Sequence, residues 1–223
     1  MARSIYIASP NAGTGKSTVA LGLIVCLTKV VAKVGVFRPF VDSRDEDPFL
    51  NLLLARSGSA TPAAQCIGVT WDEYHAAPEE SLSRIVDAYR AVARDHDVVI
   101  IDGSDFTDVA GTPELDLNAR VAANIGVPVL LVVSGRDAPE DVRASVEVSV
   151  AEIAENHART VAVIANRCPA AARGAGLDAR AMWKRIDSAV DEPKVMADAL
   201  DVEGLGELTA AHPAVGAQDR DPV

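Results

Sequence analysis

The sequence lacks three features that would each point to a particular class of protein: paired cysteines, a long apolar run and an excess of positive charge. Its three cysteines are far apart and form no CxxC pair, so we expect buried free thiols at Cys26, Cys66 and Cys168 rather than a disulfide or a zinc site. No run of about 18 apolar residues occurs, so no membrane span is predicted. A net charge of −11 argues against a nucleic-acid backbone or an anionic membrane as the main partner.

The first residues also lack a signal-peptide pattern, because Met1-Ala-Arg-Ser leads directly into a strand-like segment. We therefore expect a cytoplasmic protein. The four histidines are scattered and show neither metal-ligand nor catalytic-triad spacing. Of the 223 residues, 49% are hydrophobic, which is enough for one large α/β domain.

A phosphate-binding loop is the most informative feature that is present. A short β-branched run at 5–8 is followed by a loop with Gly13 and Gly15, and Lys16 then begins an apolar helix. Glycine lets the backbone curl around an anion, so that successive N–H groups point into the loop. The helix N-terminus adds the positive end of its dipole. This strand, loop and helix order is the context that a P-loop requires.

Two side chains after the glycines suit a nucleotide and its metal ion. Lys16 offers a mobile cation for the outer phosphates, and Ser17 offers a hydroxyl for Mg²⁺. The strict motif has glycine six residues before the lysine, and Pro10 stands there instead. A glycine-rich turn that merely joins a strand to a helix is the alternative interpretation.

Two further strand ends carry polar side chains. The run from Asp97 to Asp102 resembles a Walker B strand, whose terminal carboxylate lies near Mg²⁺ at the carboxyl edge of the sheet. Asn166 follows the apolar run 160–165 and either hydrogen-bonds an adenine edge or caps a turn.

Alternating apolar strands and helices predict the fold. Thr70 and Glu73 form a capping box, and Pro39 is expected to end the second strand after Phe37. The pattern predicts an α/β domain with one doubly wound, mostly parallel sheet and ligands at the carboxyl ends of its strands. We expect this domain over 1–200, with a helix near 177–190 and a poorly ordered tail over 201–223. The predicted strands are 5–8, 34–37, 67–69, 98–101, 127–133 and 160–165, and the main predicted helices are 16–31, 78–96, 113–125 and 139–157.

Taken together, Ile5-Tyr-Ile-Ala-Ser-Pro10, Gly13-Thr-Gly-Lys-Ser-Thr18 and Val34-Gly-Val-Phe-Arg-Pro39 resemble the N-terminal domain of long-form phosphate acetyltransferases. That domain is similar to dethiobiotin synthetase, which has a P-loop NTPase fold. The resemblance covers roughly residues 3 to 170. It implies ATP or another purine nucleotide as ligand, with Mg²⁺ as its metal ion.

The resemblance also assigns roles by position. Lys16 and Arg38 are the expected catalytic residues, Arg38 standing where dethiobiotin synthetase has a lysine that serves substrate and phosphate. Ser17 and Asp102 are the expected metal ligands, and Asp45 and Asp47 are the nearest candidates for a second metal-binding acid. Asn166 matches the adenine-reading asparagine. The expected nucleotide-binding set is Asn11, Gly13, Thr14, Gly15, Lys16, Ser17, Thr18 and Asn166.

Three functions follow from this resemblance. The first is a regulatory nucleotide-binding domain of a phosphate acetyltransferase, with self-association or the acetyltransferase catalytic domain as protein contacts. Since the acetyl-transfer domain is missing from this chain, we do not expect it to transfer acetyl groups alone. The second is a stand-alone ATP-dependent ligase, although Asp102-Gly-Ser-Asp replaces the Glu-Gly-Ala-Gly-Gly of dethiobiotin synthetase. The third is a partitioning-type ATPase, ranked last because Asn11 or Ala12 stands where those proteins carry a second lysine.

Overall fold

A computed structural model describes residues 3–45, 47–104 and 114–168, and these residues build a six-stranded parallel sheet. The strand order is β3-β2-β4-β1-β5-β6, and every pair of neighbours runs parallel. The doubly wound α/β sheet predicted from the sequence is confirmed. The strands are β1 (Arg3–Ala8), β2 (Val34–Val41), β3 (Ile67–Thr70), β4 (Val98–Asp102), β5 (Val129–Ser134) and β6 (Thr160–Asn166).

Helices pack in two groups against this sheet. The helix after β1 packs on the helix after β2. The helix before β4 packs on the helix after β4, which in turn packs on the helix after β5. Right-handed crossovers in opposite directions along the sheet place these two groups on opposite faces. The helices are α1 (Lys16–Leu27), α2 (Pro48–Ser57), α3 (Trp71–Ala76), α4 (Pro78–Arg94), α5 (Glu114–Ile125) and α6 (Pro139–Glu155), with a short 3-10 turn at Ala63–Gln65.

The central strands are buried on both sides, which explains their continuous apolar sequences. In β1, Ile5, Tyr6 and Ile7 are fully buried, and in β4 the run Val98–Asp102 is buried throughout. A parallel sheet covered on both faces has this composition, because neither side of the strand meets water. Across the described residues, no helix is long and apolar enough to cross a membrane.

The predicted end of β2 at Pro39 is wrong. The strand pairs with β4 as far as Phe37 and with β3 from Arg38 to Val41, so it continues through the proline. Arg38 donates its backbone N–H to Cys66 on the β3 side. The missing N–H of Pro39 falls on the other side, where pairing with β4 has already ended, so the proline removes no ladder bond.

Two other boundary predictions had different outcomes. Helix α1 ends at Leu27 rather than near 31, and a tighter turn follows it, in which Val30 donates to the Leu27 carbonyl. The capping box is confirmed: the Thr70 hydroxyl accepts from the Glu73 amide at 3.2 Å, and the Glu73 carboxylate accepts from the Thr70 amide at 2.8 Å. The helix expected near 177–190 and the tail expected over 201–223 lie outside the described residues.

Two of the three cysteines are buried thiols, as expected. Cys26 and Cys66 are buried, and Cys168 is partly exposed at the end of β6. Burial raises the pKa of the Cys66 thiol to about 11.

Candidate functional site

The loop between β1 and α1 has the backbone form that its glycines suggested. Gly13 and Gly15 have φ values of 76° and 88°, in the left-handed region that side chains other than glycine rarely adopt. Gly15 is the residue before α1, and its carbonyl accepts from the amides of Thr18 and Val19. The loop therefore turns sharply into the first turn of the helix, the end of a helix that favours anions.

The side chain of Lys16 is buried at this turn. Only 1% of the side chain is exposed, and its Nζ lies 2.6 Å from Oδ1 of Asp102, which is fully buried. Lys16 also donates to the carbonyl of Gly103, directly after β4. A buried charge is tolerated when it is paired and hydrogen-bonded, and each of these two charges meets that requirement through the other.

Polar atoms around this pair retain bonding capacity. Among the described residues, Oδ2 of Asp102 and Oγ1 of Thr14 are buried without a hydrogen-bond partner. Nε of Arg38 lies 3.5 Å from that same Asp102 oxygen, close enough for charge attraction but not for a hydrogen bond. A carboxylate oxygen with an open lone pair suits Mg²⁺, and a hydroxyl inside a curled loop suits a phosphate. The residues present therefore fit a metal-bound nucleotide.

Arg38 bridges this site to the start of α2. Its guanidinium pairs with Asp47, and its central carbon lies 5.8 Å from the ring centroid of Phe49. Asp47 also caps α2, because its Oδ1 accepts from the amide of Leu50 at 2.8 Å. Asp47, a candidate for a second metal-binding acid, is thus already engaged by an arginine and a helix end, and Asp45 is exposed on the preceding loop.

Asn166 ties the end of β6 to the loop after β1. Its side-chain amide donates to the Thr14 carbonyl at 2.8 Å, and its side-chain oxygen accepts from the amide of Arg167 at 2.9 Å. A carboxamide has two N–H donors and two acceptor lone pairs, so one of each remains. Asn166 can therefore both hold the loop and contact a ligand.

A second buried network fixes the segment after β4. The Tyr6 hydroxyl donates to Oδ1 of Asn118 at 2.6 Å, and that oxygen also accepts from the Ser104 amide at 3.0 Å. Complete burial, and then the negative charges of Asp102 and Glu114, hold the pKa of Tyr6 well above its usual value. Asn118 thus positions Gly103 and Ser104 beside Lys16. Sequence reasoning missed this role, since a single asparagine within a helix gives no distinctive pattern.

The structure gathers the predicted site residues into two groups. Lys16, Arg38 and Asp102 converge at the end of β4, where its pairing with β2 stops. Thr14, Gly15 and Asn166 converge toward β6. Ser17 is partly exposed in the first turn of α1. The remaining predicted residues lie exposed on the loop or on the first turn: Asn11, Gly13 and Thr18.

A family described as "AAA domain" matches residues 3–209. The chain belongs to this AAA domain family. The match spans the loop, the Asp102 strand and Asn166, so the site lies within the family domain.

Within this family, the chain is similar to part of several phosphate acetyltransferases. The phosphate acetyltransferase of Nitratidesulfovibrio vulgaris is 28% identical over 75% of this chain, and that of Synechocystis sp. is 27% identical over 59% of this chain. The aligned region makes up 25% and 20% of those proteins, so the chain spans about a quarter or less of the relatives it matches. The predicted resemblance to the P-loop domain of phosphate acetyltransferases is confirmed.

Among the solved structures that the chain resembles is the septum site-determining protein MinD complexed with Mg-ADP from Pyrococcus horikoshii. The two share 18% identity with a TM-score of 0.46, over 91% of this chain and 79% of that one. Its ligand is a property of that protein and is not transferred to this one by so distant a likeness.

Proposed function

We propose that this domain binds a purine nucleotide, ATP in the first instance, together with Mg²⁺, and that it serves as a regulatory domain for phosphate acetyltransferase activity. The observation that supports this best is the buried pair of Lys16 and Asp102 beside a glycine loop in the left-handed conformation. A cation and an acid in this arrangement are the two charges needed for phosphate and for metal.

Each residue of the loop has a role in this proposal. The amides of Gly13, Thr14, Gly15, Lys16 and Ser17 face the phosphates, with Asn11 and Thr18 at the two ends of this cradle. Lys16 neutralises the outer phosphates, Ser17 and Asp102 hold Mg²⁺, and Asn166 contacts the adenine edge. When bound, the metal would supply charge neutralisation on the phosphate oxygens.

Nucleotide binding must open the pair of Lys16 and Asp102, because neither side chain is reachable by solvent as the chain stands. Phosphate would then replace the Asp102 carboxylate as the partner of Lys16, and that carboxylate would be free to hold Mg²⁺. Because each buried charge exchanges one partner of opposite charge for another, opening the pair leaves neither charge unpaired, and its free-energy cost stays small.

Calorimetric titration of ATP and ADP, with and without Mg²⁺, tests the binding. Micromolar binding to the wild-type chain and its loss in Lys16→Ala are expected. Lys33→Ala is the matched control, because Lys33 is an exposed lysine beyond the end of α1. No heat and no thermal shift at millimolar nucleotide would rule out a working phosphate loop.

Regulation needs a separate assay. In the Nitratidesulfovibrio vulgaris relative, the segment that matches this chain is replaced by this chain or by its Lys16→Ala variant, and acetyl phosphate formation is followed at increasing ATP. A rate that depends on ATP only when Lys16 is present is expected. A rate that is independent of ATP concentration in both chimaeras would show that nucleotide binding does not control acetyl phosphate formation, and it would refute the regulatory role.

A second candidate is an ATP-dependent ligase of the dethiobiotin synthetase kind. The observation in its favour is Arg38, whose guanidinium lies within 3.5 Å of Asp102 and could stabilise charge on a transferred phosphoryl group. ATP turnover that requires diaminopelargonic acid and bicarbonate, and that Arg38→Ala removes, would favour this activity. ATP binding without such turnover would favour the regulatory role.

A further inference from the structure

Arg167 places a positive charge against the phosphate loop from the side of β6. A Cβ atom on Gly15 would collide with the Asn166 amide nitrogen and would lie 3.2 Å from Nε of Arg167 and 3.6 Å from one of its terminal nitrogens. The absence of a side chain at Gly15 therefore makes room for the Arg167 guanidinium.

The backbone around Arg167 is held in the conformation that directs its side chain to the loop. Arg167 has a φ of 64°, one of two non-glycine residues with positive φ among those described. Its amide bonds the Asn166 side chain, and the Asn166 carbonyl accepts from the amide of Gly135 at 2.6 Å. Cys168 packs directly on Gly135, where a Cβ would overlap its sulfur. An uncommon conformation that is fixed by its surroundings often marks a functional position.

Arg167 is also available to a ligand. It is exposed, and within the part of the chain that the structure describes no carboxylate pairs with it. This contrasts with Arg38, Arg44 and Arg84, each of which pairs with an acid.

The order of the strands shows which end of a nucleotide Arg167 would meet. The loop follows β1; Lys16 Nζ and Asp102 lie toward β4 on one side of it, and Arg167 lies toward β6 on the other. If Lys16 takes the outer phosphates, the chain of phosphates crosses the loop from the β4 side. Its nucleoside end then leaves on the β6 side, next to Asn166 and Arg167.

We propose that Arg167 binds the nucleoside half of the nucleotide, with its planar guanidinium packed on the face of the purine base. This inference rests on the proposed nucleotide binding and adds a residue that sets specificity for the base. Arginine stacks well on aromatic faces because its guanidinium is flat and weakly hydrated. Asn166 would then meet the edge of the same base that Arg167 covers.

Titration of two probes, Mg-ATP and inorganic tripolyphosphate, tests this assignment. Tripolyphosphate has the phosphates of ATP without its nucleoside, and its affinity is measured directly and by competition with ATP. Arg167→Gly removes the side chain and suits the positive φ at this position, so that the turn is preserved. Arg136→Ala is the matched control, since Arg136 is an exposed arginine just past β5 at the same sheet edge.

Arg167→Gly should weaken Mg-ATP binding about tenfold, the size expected for loss of one arginine–aromatic contact. The affinity of this variant for tripolyphosphate should stay within about twofold of wild type, because the contacts to the phosphates do not involve Arg167 in this proposal. Arg167→Lys, which keeps the charge and loses the plane, should behave like the glycine variant. Thermal unfolding of Arg167→Gly without ligand should match or exceed wild type, because glycine relieves the positive φ at this position.

Three results would overturn the inference. Equal weakening of ATP and tripolyphosphate would make Arg167 a phosphate contact, and unchanged ATP affinity would remove it from the site. Full ATP affinity in Arg167→Lys would show that charge alone is used. In all three cases ATP still binds the wild-type chain, so nucleotide binding itself stands; absence of ATP binding to wild type would overturn both proposals together.

Discussion

The buried pair of Lys16 and Asp102 makes a prediction that can be tested without any ligand. Asp102→Asn removes the negative charge and leaves the Lys16 ammonium in a site where 1% of its side chain is exposed. Breaking a buried ion pair from one side costs about 3–5 kcal/mol of the free energy of unfolding. For a domain of this size, that loss lowers the melting temperature by about 6–20 °C.

The two partners should not be equivalent. In Lys16→Met, the stranded Asp102 carboxylate still has Nε of Arg38 3.5 Å from its second oxygen, so part of its charge remains compensated. In Asp102→Asn, the Gly103 carbonyl still accepts from Lys16, but a carbonyl does not replace the full charge of the lost carboxylate. We therefore expect Asp102→Asn to cost more than Lys16→Met. The double variant, with both charges gone, should recover at least about 1 kcal/mol relative to the sum of the single losses.

Urea unfolding followed by circular dichroism measures all three variants. Asp97→Asn is the matched control, because Asp97 is an exposed acid at the other end of β4 that accepts from the Lys33 amide. It should cost less than about 1 kcal/mol. A loss below about 1 kcal/mol in Asp102→Asn, equal to that of the control, would refute the buried, charged pair described above.

The remaining predictions concern the capping box and the buried tyrosine. The hydrogen bond from Arg84, then that from the Thr70 amide, lowers the pKa of Glu73 from 4.5 to about 2. The folded chain thus binds fewer protons than the unfolded chain in this window, so the stabilisation is complete above about pH 4.5 and is lost as pH falls toward 2. Glu73→Gln should lower the free energy of unfolding by about 1 kcal/mol at pH 7 and by almost nothing near pH 2. Thermal melts at both pH values measure this difference, and an equal loss at both would contradict a role for the Glu73 charge. Tyr6→Phe should cost about 1–2 kcal/mol in urea unfolding by removing the buried bond to Asn118, and no loss would show that this bond contributes nothing net.

The strand and helix pattern was readable from the sequence because buried parallel strands have their own composition. Val98–Asp102 and Val129–Ser134 are apolar on both sides, and the sheet buries both sides. The capping box was readable for a similar reason, since Thr70 and Glu73 interact within one turn of chain. Such features depend on neighbours in sequence, and local chemistry predicts them well.

The prediction failed where a contact from another strand decided the outcome. Pro39 is compatible with β2 only because the pairing partner changes from β4 to β3 beside it, and this change is a property of the sheet. Likewise, the sequence could offer Asp47 as a metal ligand but could not reveal that Arg38, across the loop, already pairs with it.

Asn166 and Arg167 show the same division within the site itself. An asparagine at the end of a strand could be recognised as a candidate, because the side chain alone can read an adenine edge. Its bond to the Thr14 carbonyl, 152 residues away along the chain, depends on β6 lying two strands from β1. The same strand order brings Arg167 close to Gly15. Gly15 is therefore needed both for the left-handed turn of the loop and to leave room for the Arg167 side chain. A larger residue at position 15 would therefore disturb the loop twice, through its own backbone and through the side chains of Asn166, at the end of β6, and Arg167, just after it. The glycine of the motif thus serves the binding surface on the β6 side as well as the phosphate cradle.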